Sequence, residues 1–436
     1  MISRRSTLGL LAAAGTFPAL STLAACGPNA ADEGDENSVR IYWWGGELRD
    51  GMTREALDLF SESHPDISVS PEYSEWTGYW DKLATQTAGG DSPDVMQMDE
   101  AYIDSYGTRG SLLDLESVSD VLDLSAMDED MLETGRLADG TLVGAPLGIG
   151  IFAVGVNPTI LEQAGVEMPD DTAWTWDEFA QIATSVTDWA QGAGEDVVGF
   201  DFFGTSAAEL AAWARQSGEQ LFPREDETLI SKDTIVAYLE YALGLVESGA
   251  VLAPGEQLED FNAGVEQGRF GNNRSAFHLQ FHTQVQTFQA SSGSPLQLLR
   301  LPARSSGDHQ MVNKASMYWS ISADTANPDG SATLVDFLLR DPEAAKILKI
   351  ERGVTAFPDL QEEIEPALDE NEMVSLDFAR DMQAEVVRPP LVTPASGVGF
   401  GDEFSRLSEE SLFGSRPPED VADEILTQLE SMQPET

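Results

Sequence analysis

One cysteine, Cys26, stands in 436 residues, so neither an internal disulfide nor a four-cysteine zinc site can form. The four histidines, at 64, 278, 282 and 309, lack metal-ligand spacing. Basic residues are scarce: 24 Lys and Arg stand against 76 Asp and Glu, for a formal net charge of −52. Nucleic acid is held through clustered basic side chains, so it is excluded as a partner. No segment beyond residue 26 is long and apolar enough to span a bilayer, which takes about 20 residues. Catalytic signatures are missing too: no GxSxG elbow, HExxH, phosphate loop, or GxGxxG behind a strand. No enzymatic activity and no cofactor are expected. What remains is ordinary globular material, 42% hydrophobic and 23% charged. A single core stops growing near roughly 250–300 residues, so two lobes are expected.

Arg4 and Arg5 are the only charges in the first 25 residues and precede an apolar stretch, Leu8 to Ala25, broken by Gly15 and Pro18. Residues 1–25 read as a signal peptide, and Ser3-Arg4-Arg5-Ser6-Thr7-Leu8 resembles a twin-arginine export signal. Leu23-Ala24-Ala25-Cys26 reads as a lipobox, with the Cys26 thiol as the acylation point. Residues 26–38 then form a lipidated N-terminus and a tether with almost nothing apolar to pack. The protein is expected at the extracytoplasmic face of the cell membrane, held by lipid.

Beyond the tether, Val39 to Trp43 alternates and is β-branched and aromatic, which predicts a strand. Met52, Ala56, Leu59 and Phe60 fall at helical spacing. Ile67–Val69 predicts a second strand, Trp80–Ala88 a helix, and Asp94–Met98 a third strand. This βαβαβ order implies parallel strands with helical crossovers. Further on, Thr175-Trp176-Asp177-Glu178 is a capping box. Segments 207–216 and 233–247 read as helices, 276–281 as a strand, and 317–321 as a return to strand-then-helix order.

Ligands of parallel α/β sheets bind beyond the carboxyl ends of the strands. Those ends carry Trp44 and Gly45, then Trp76, Tyr79 and Trp80, then Asp99, Glu100 and Tyr102; Tyr318 and Trp319 open the later return. Ring faces suit the C–H faces of a pyranose, and a carboxylate accepts from neighbouring hydroxyls. A neutral carbohydrate is the expected ligand. Two other classes fit the residues: a cationic solute such as a polyamine, countered by Asp99 and Glu100, and a secreted glycosidase. Asp99 reads equally well as a helix cap.

The lipobox, Ile41-Tyr42-Trp43-Trp44-Gly45-Gly46, Tyr79-Trp80-Asp81-Lys82-Leu83, Gly89-Gly90-Asp91-Ser92-Pro93-Asp94-Val95, Trp176-Asp177-Glu178-Phe179, Asn327-Pro328 and Arg352-Gly353 follow one another in a telling order. In that order the chain resembles extracellular solute-binding protein family 1, the substrate-binding lipoproteins of bacterial ABC sugar importers that include maltose-binding protein. The resemblance implies an α/β, two-lobed periplasmic-binding-protein-like fold (type II). Each lobe would be a mostly parallel sheet flanked by helices, with the hinge crossed about three times. Lobe one would be 39–146 and 315–355, and lobe two 147–314 and 356–436. It further implies a monomer that delivers sugar to permease subunits. Substrate contacts would fall on Trp44, Gly45, Trp76, Tyr79, Asp99, Tyr102, Trp213, Gln280, Phe281, Trp319 and Arg352. The chain departs from the pattern at Lys314-Ala315-Ser316, where many relatives have Gly-Gly, and at Phe281, where relatives often have Trp.

Overall fold

Two sheets, each with its own apolar core, organise the chain. The structure, a computed structural model, describes residues 37–433, Glu266 excepted. The expected signal peptide, Cys26 and most of the tether lie outside the described residues.

The first sheet holds β1 (Ser38–Trp44), β2 (Ser68–Ser74), β3 (Val95–Met98), β4 (Ala145–Pro146) and a late strand, β11 (Tyr318–Ile321). Its order is β2-β1-β3-β11-β4. Helix α1 (Glu47–Ser63) follows β1, α2 (Trp76–Ala88) follows β2, and α3 (Glu100–Gly107) follows β3. Alternation along β1 sends Trp43 and Trp44 to opposite faces. Trp43 lies near Tyr73 and beneath Arg54 of α1, whereas Trp44 meets the rings of α2. Helix α2 begins four residues earlier than its sequence pattern predicts. Trp76 and Tyr79 therefore lie on the helix, in line with Trp80, and not in the connection before it.

Two short strands, β5 (Ile149–Gly150) and β10 (Lys314–Ala315), pair antiparallel where the chain passes from one core to the other. The second sheet is built from β6 (Phe152–Val156), β7 (Val198–Phe200), β8 (Ser275–Phe281) and β9 (Gln297–Leu299), in the order β7-β8-β6-β9. Its core gathers Trp174, Trp176, Phe179, Phe200, Phe203 and Phe277. The predicted capping box is present: Thr175 caps the helix Trp176–Ala193, and Glu178 returns to the Thr175 N–H.

A mostly parallel sheet in each lobe is not what forms. β1 pairs parallel with β2 and β3, but β11 runs antiparallel to both β3 and β4. In the second sheet only β7 and β8 are parallel. The reason is connectivity. β11 enters the first sheet from the second core without a helical crossover of the kind that parallel neighbours need.

Candidate ligand-binding site

Between the two cores lies a cavity of about 300 Å³. Glu100 and Ala101, at the start of α3, line it from the first core. Phe152 of β6 and Phe281 of β8, paired in register, line it from the second, with Lys314 of β10 between. The helix Ala207–Arg215 turns Ala207, Ala211 and Arg215 toward it, residues four apart on one face. The segment Pro390–Gly401, including Thr393 and Phe400, closes the wall. A second cavity of about 350 Å³ lies across Gly150, Phe281 and Lys314, which line both; Arg49, Glu351 and Arg352 lie on its far side.

Charge enters the first cavity through a matched pair. Lys314 Nζ lies 2.7 Å from Glu100 Oε2, and the Thr393 hydroxyl donates to Glu100 Oε1 at 2.8 Å. Burial by itself would raise the Glu100 carboxyl. The Lys314 ammonium and the Thr393 donors outweigh it, so the group sits below its ordinary range. Burial likewise presses the Lys314 ammonium down, and Glu100 and Asp99 carry it above its ordinary value. The ammonium also lies 5.4 Å from the centre of the Phe281 ring.

The sequence-expected residues divide. Phe281 lines both cavities and Arg352 the second. Trp44, Trp76, Tyr79 and Tyr102 come together, but around Trp80 and one another: Trp44 is 5.1 Å from Trp76 and 5.2 Å from Tyr79, and Tyr102 stacks on Trp80 at 3.9 Å. Tyr79 is fully buried and donates its hydroxyl to the Gln97 carbonyl at 2.6 Å. Trp76, 43% exposed, is the open end of the cluster. Tyr102 follows Ala101 of the cavity wall on α3. The cluster thus abuts the cavity without lining it. Gly45 ends β1 with φ +151°, its N–H bonded to the Ser74 carbonyl; a Cβ there would meet Arg49 at 2.4 Å.

The others sit elsewhere for identifiable reasons. Asp99 caps α3 through the Ala101 N–H at 3.0 Å, and burial raises its carboxyl despite Lys314 and that bond. The next residue, Glu100, reaches the cavity in its place. Trp319 is 2% exposed within the first core, with the Arg352 guanidinium 5.4 Å from its centre. Arg352 donates to Gln97 and to Thr53, joining β3 to α1, and burial pushes it down to about 9. Trp213 packs into the second core against Trp176 and Tyr241, because two helical steps set it far from the Ala211–Arg215 face. Gln280 alternates away from Phe281, buried beside Gly155 with no partner for its amide. Trp44, Asp99 and Trp319 therefore do not converge on one groove.

Sequence reasoning passed over Arg215, Phe152 and the 390–401 segment. A signal for Arg215 was present in the alanine-rich run Ala207-Ala208-Glu209-Leu210-Ala211, whose cavity-facing positions are small. Among the described residues no group of three or more His, Cys, Asp and Glu is placed to hold a metal. Nor is any described helix long and apolar enough to cross a membrane.

Residues 55–373 match the model of a bacterial extracellular solute-binding protein family, and the chain belongs to that family. Membership makes it a solute binder and not an enzyme. An uncharacterized lipoprotein in the oleD 5′ region of Streptomyces antibioticus is 26% identical over 330 residues, covering 74% of this chain and 70% of that one. A periplasmic solute-binding protein of Pectobacterium atrosepticum has a similar structure, with TM-score 0.79, 22% identity, and 90% and 97% of the two chains covered. So has a periplasmic oligogalacturonide-binding protein of Yersinia enterocolitica, solved with saturated digalacturonic acid: TM-score 0.74, 22% identity, 90% and 97% covered. These likenesses establish the α/β periplasmic solute-binding fold.

Proposed function

We propose that the protein captures a sugar or oligosaccharide in the cavity between its two cores and delivers it to the permease of an ABC importer. Cys26, lipidated, holds it at the extracytoplasmic face of the membrane. The links around β5 and β10 act as the hinge between a lobe of 39–146 with 315–355 and a lobe of 147–314 with 356–436. Ligand contacts to both lobes favour the closed form, since a ligand shifts an equilibrium by its differential affinity.

The observation that carries this reading is the composition of the cavity wall. Rings of Phe152, Phe281 and Phe400 supply apolar faces, and Glu100, Thr393 and Lys314 supply a few fixed polar groups. Pockets that hold small ligands are built this way. Two comparisons support it: the Yersinia protein binds an oligogalacturonide, and the Streptomyces relative is a lipoprotein. A cationic solute fits less well. Glu100 is already neutralised by Lys314, Asp99 is spent on a cap, and Arg215 adds positive charge.

A thermal-shift screen against mono- and oligosaccharides tests the proposal. A ligand at 100 times its dissociation constant stabilises the folded state by about 2.7 kcal/mol. At least one saccharide should raise the melting temperature, with saturation confirmed by calorimetry. A complete saccharide panel without any shift would refute the reading.

A further inference from the structure

The helix Ala207–Arg215 brings to the cavity wall an arginine with no partner. Arg215 is 7% exposed and lines the cavity between the cores. Its Nε is buried without a hydrogen-bond partner, and among the described residues no carboxylate pairs with it. Burial pushes its guanidinium down to about 10, and no neighbouring charge offsets that effect. The other cation of the wall, Lys314, is matched by Glu100. The nearest acid on the helix itself, Glu209, is turned to the Gly204 N–H and the Tyr238 hydroxyl, each at 2.8 Å.

A buried charge with no counter-charge is expensive, and folded proteins normally pair it. The guanidinium offers a planar fork of five donors shaped for a carboxylate or a phosphate. Room for such a group exists because Ala207, Ala208 and Ala211 keep the same wall small. The surroundings sharpen the point: a chain of net charge −52 has left one uncompensated cation inside its ligand cavity.

We infer that Arg215 is an anion-recognition site and that the captured solute carries a carboxylate or phosphate. Resting on the function proposed above, that solute is an acidic sugar, not the neutral one that the sequence suggests. Arg215 is matched in the bound state by an anion that the protein does not supply.

Calorimetry on the whole chain tests this with digalacturonic acid against its dimethyl ester, glucose 6-phosphate against glucose, and succinate as an acid that is not a sugar. At least one acidic sugar should bind on the order of 10–100-fold tighter than its uncharged counterpart, the range expected for hydrogen bonds to a charged group. Arg215→Met should reduce the acid to the level of the uncharged form, and Arg215→Lys should retain part of the preference. Without ligand, Arg215→Met should melt no lower than wild type, because it removes an unpaired buried charge; this separates lost binding from lost folding. The inference fails if Arg215→Met binds the acid like wild type, if neither acidic sugar binds tighter than its uncharged counterpart, or if no acidic probe binds. Neutral saccharides binding at least as tightly as every acidic probe, in both proteins, would overturn it while leaving the sugar reading intact. Binding of succinate alone, abolished in Arg215→Met, would uphold the anion site and overturn the sugar reading.

Discussion

The two sides of the cavity use aromatic residues differently. On the first side, Trp44, Trp76, Tyr79, Trp80 and Tyr102 form a continuous cluster that packs mainly on itself. On the second side, Phe152 and Phe281 face the cavity, flanked by the alanines of the helix Ala207–Arg215. The first arrangement is denser in rings and the second leaves more room. Space for a ligand comes from small residues beside large ones, and a dense aromatic run signals core as readily as it signals a platform.

The largest expected effect breaks the dense side. Trp44→Ala removes a 7% exposed indole from the middle of the cluster. It should cost about 3–5 kcal/mol of stability by chemical denaturation, as large-to-small aromatic core changes do. Ligand affinity measured well below the melting temperature should change little, because Trp44 does not line the cavity. A large loss of affinity in a well-folded variant would move the ligand onto the aromatic cluster.

A smaller effect probes the seam. Lys314→Met leaves Glu100 covered and unpaired. Because both side chains of the pair remain a quarter to a third exposed, the cost at neutral pH should be about 1–3 kcal/mol, below that of a fully buried pair. The pH dependence has a definite sign. In wild type the Glu100 carboxyl is held low, so the pair's contribution is present above the ordinary glutamate value of 4.5 and is lost as pH falls through the lowered value. In Lys314→Met, acid protonates the orphaned carboxyl and relieves the penalty. The stability gap between the two proteins should therefore narrow as pH falls, beginning above 4.5 as the orphaned carboxyl of the variant protonates and continuing below 4.5 as wild type loses the pair. A gap that widens would show that Lys314 does not hold Glu100 ionised.

Much of the scaffold was legible in the sequence because its signals are local. The β1 alternation and the capping box at Thr175 both appear where short-range chemistry places them. The site was legible only in outline. The chain just beyond β3 does reach the cavity, but through Glu100, while Asp99 satisfies the helix terminus. Nothing local marks Glu100, since its ion-pair partner lies at 314 and its hydroxyl donor at 393. The departure at Lys314 from a family Gly-Gly was the one visible hint. Trp319 and Trp213 mislead because a tryptophan's value to a core and to a sugar rests on the same apolar surface.

The central claim is that the ligand occupies the space beside the alanine face. Its most direct test is calorimetric titration of Ala211→Phe with whichever saccharide the screen identifies. A ring at position 211 fills that space from the rigid wall of a helix. The account predicts at least a hundredfold loss of affinity with the melting temperature of the free protein nearly unchanged, a loss of about 2.7 kcal/mol in binding free energy. Wild-type affinity in a folded Ala211→Phe protein would contradict it.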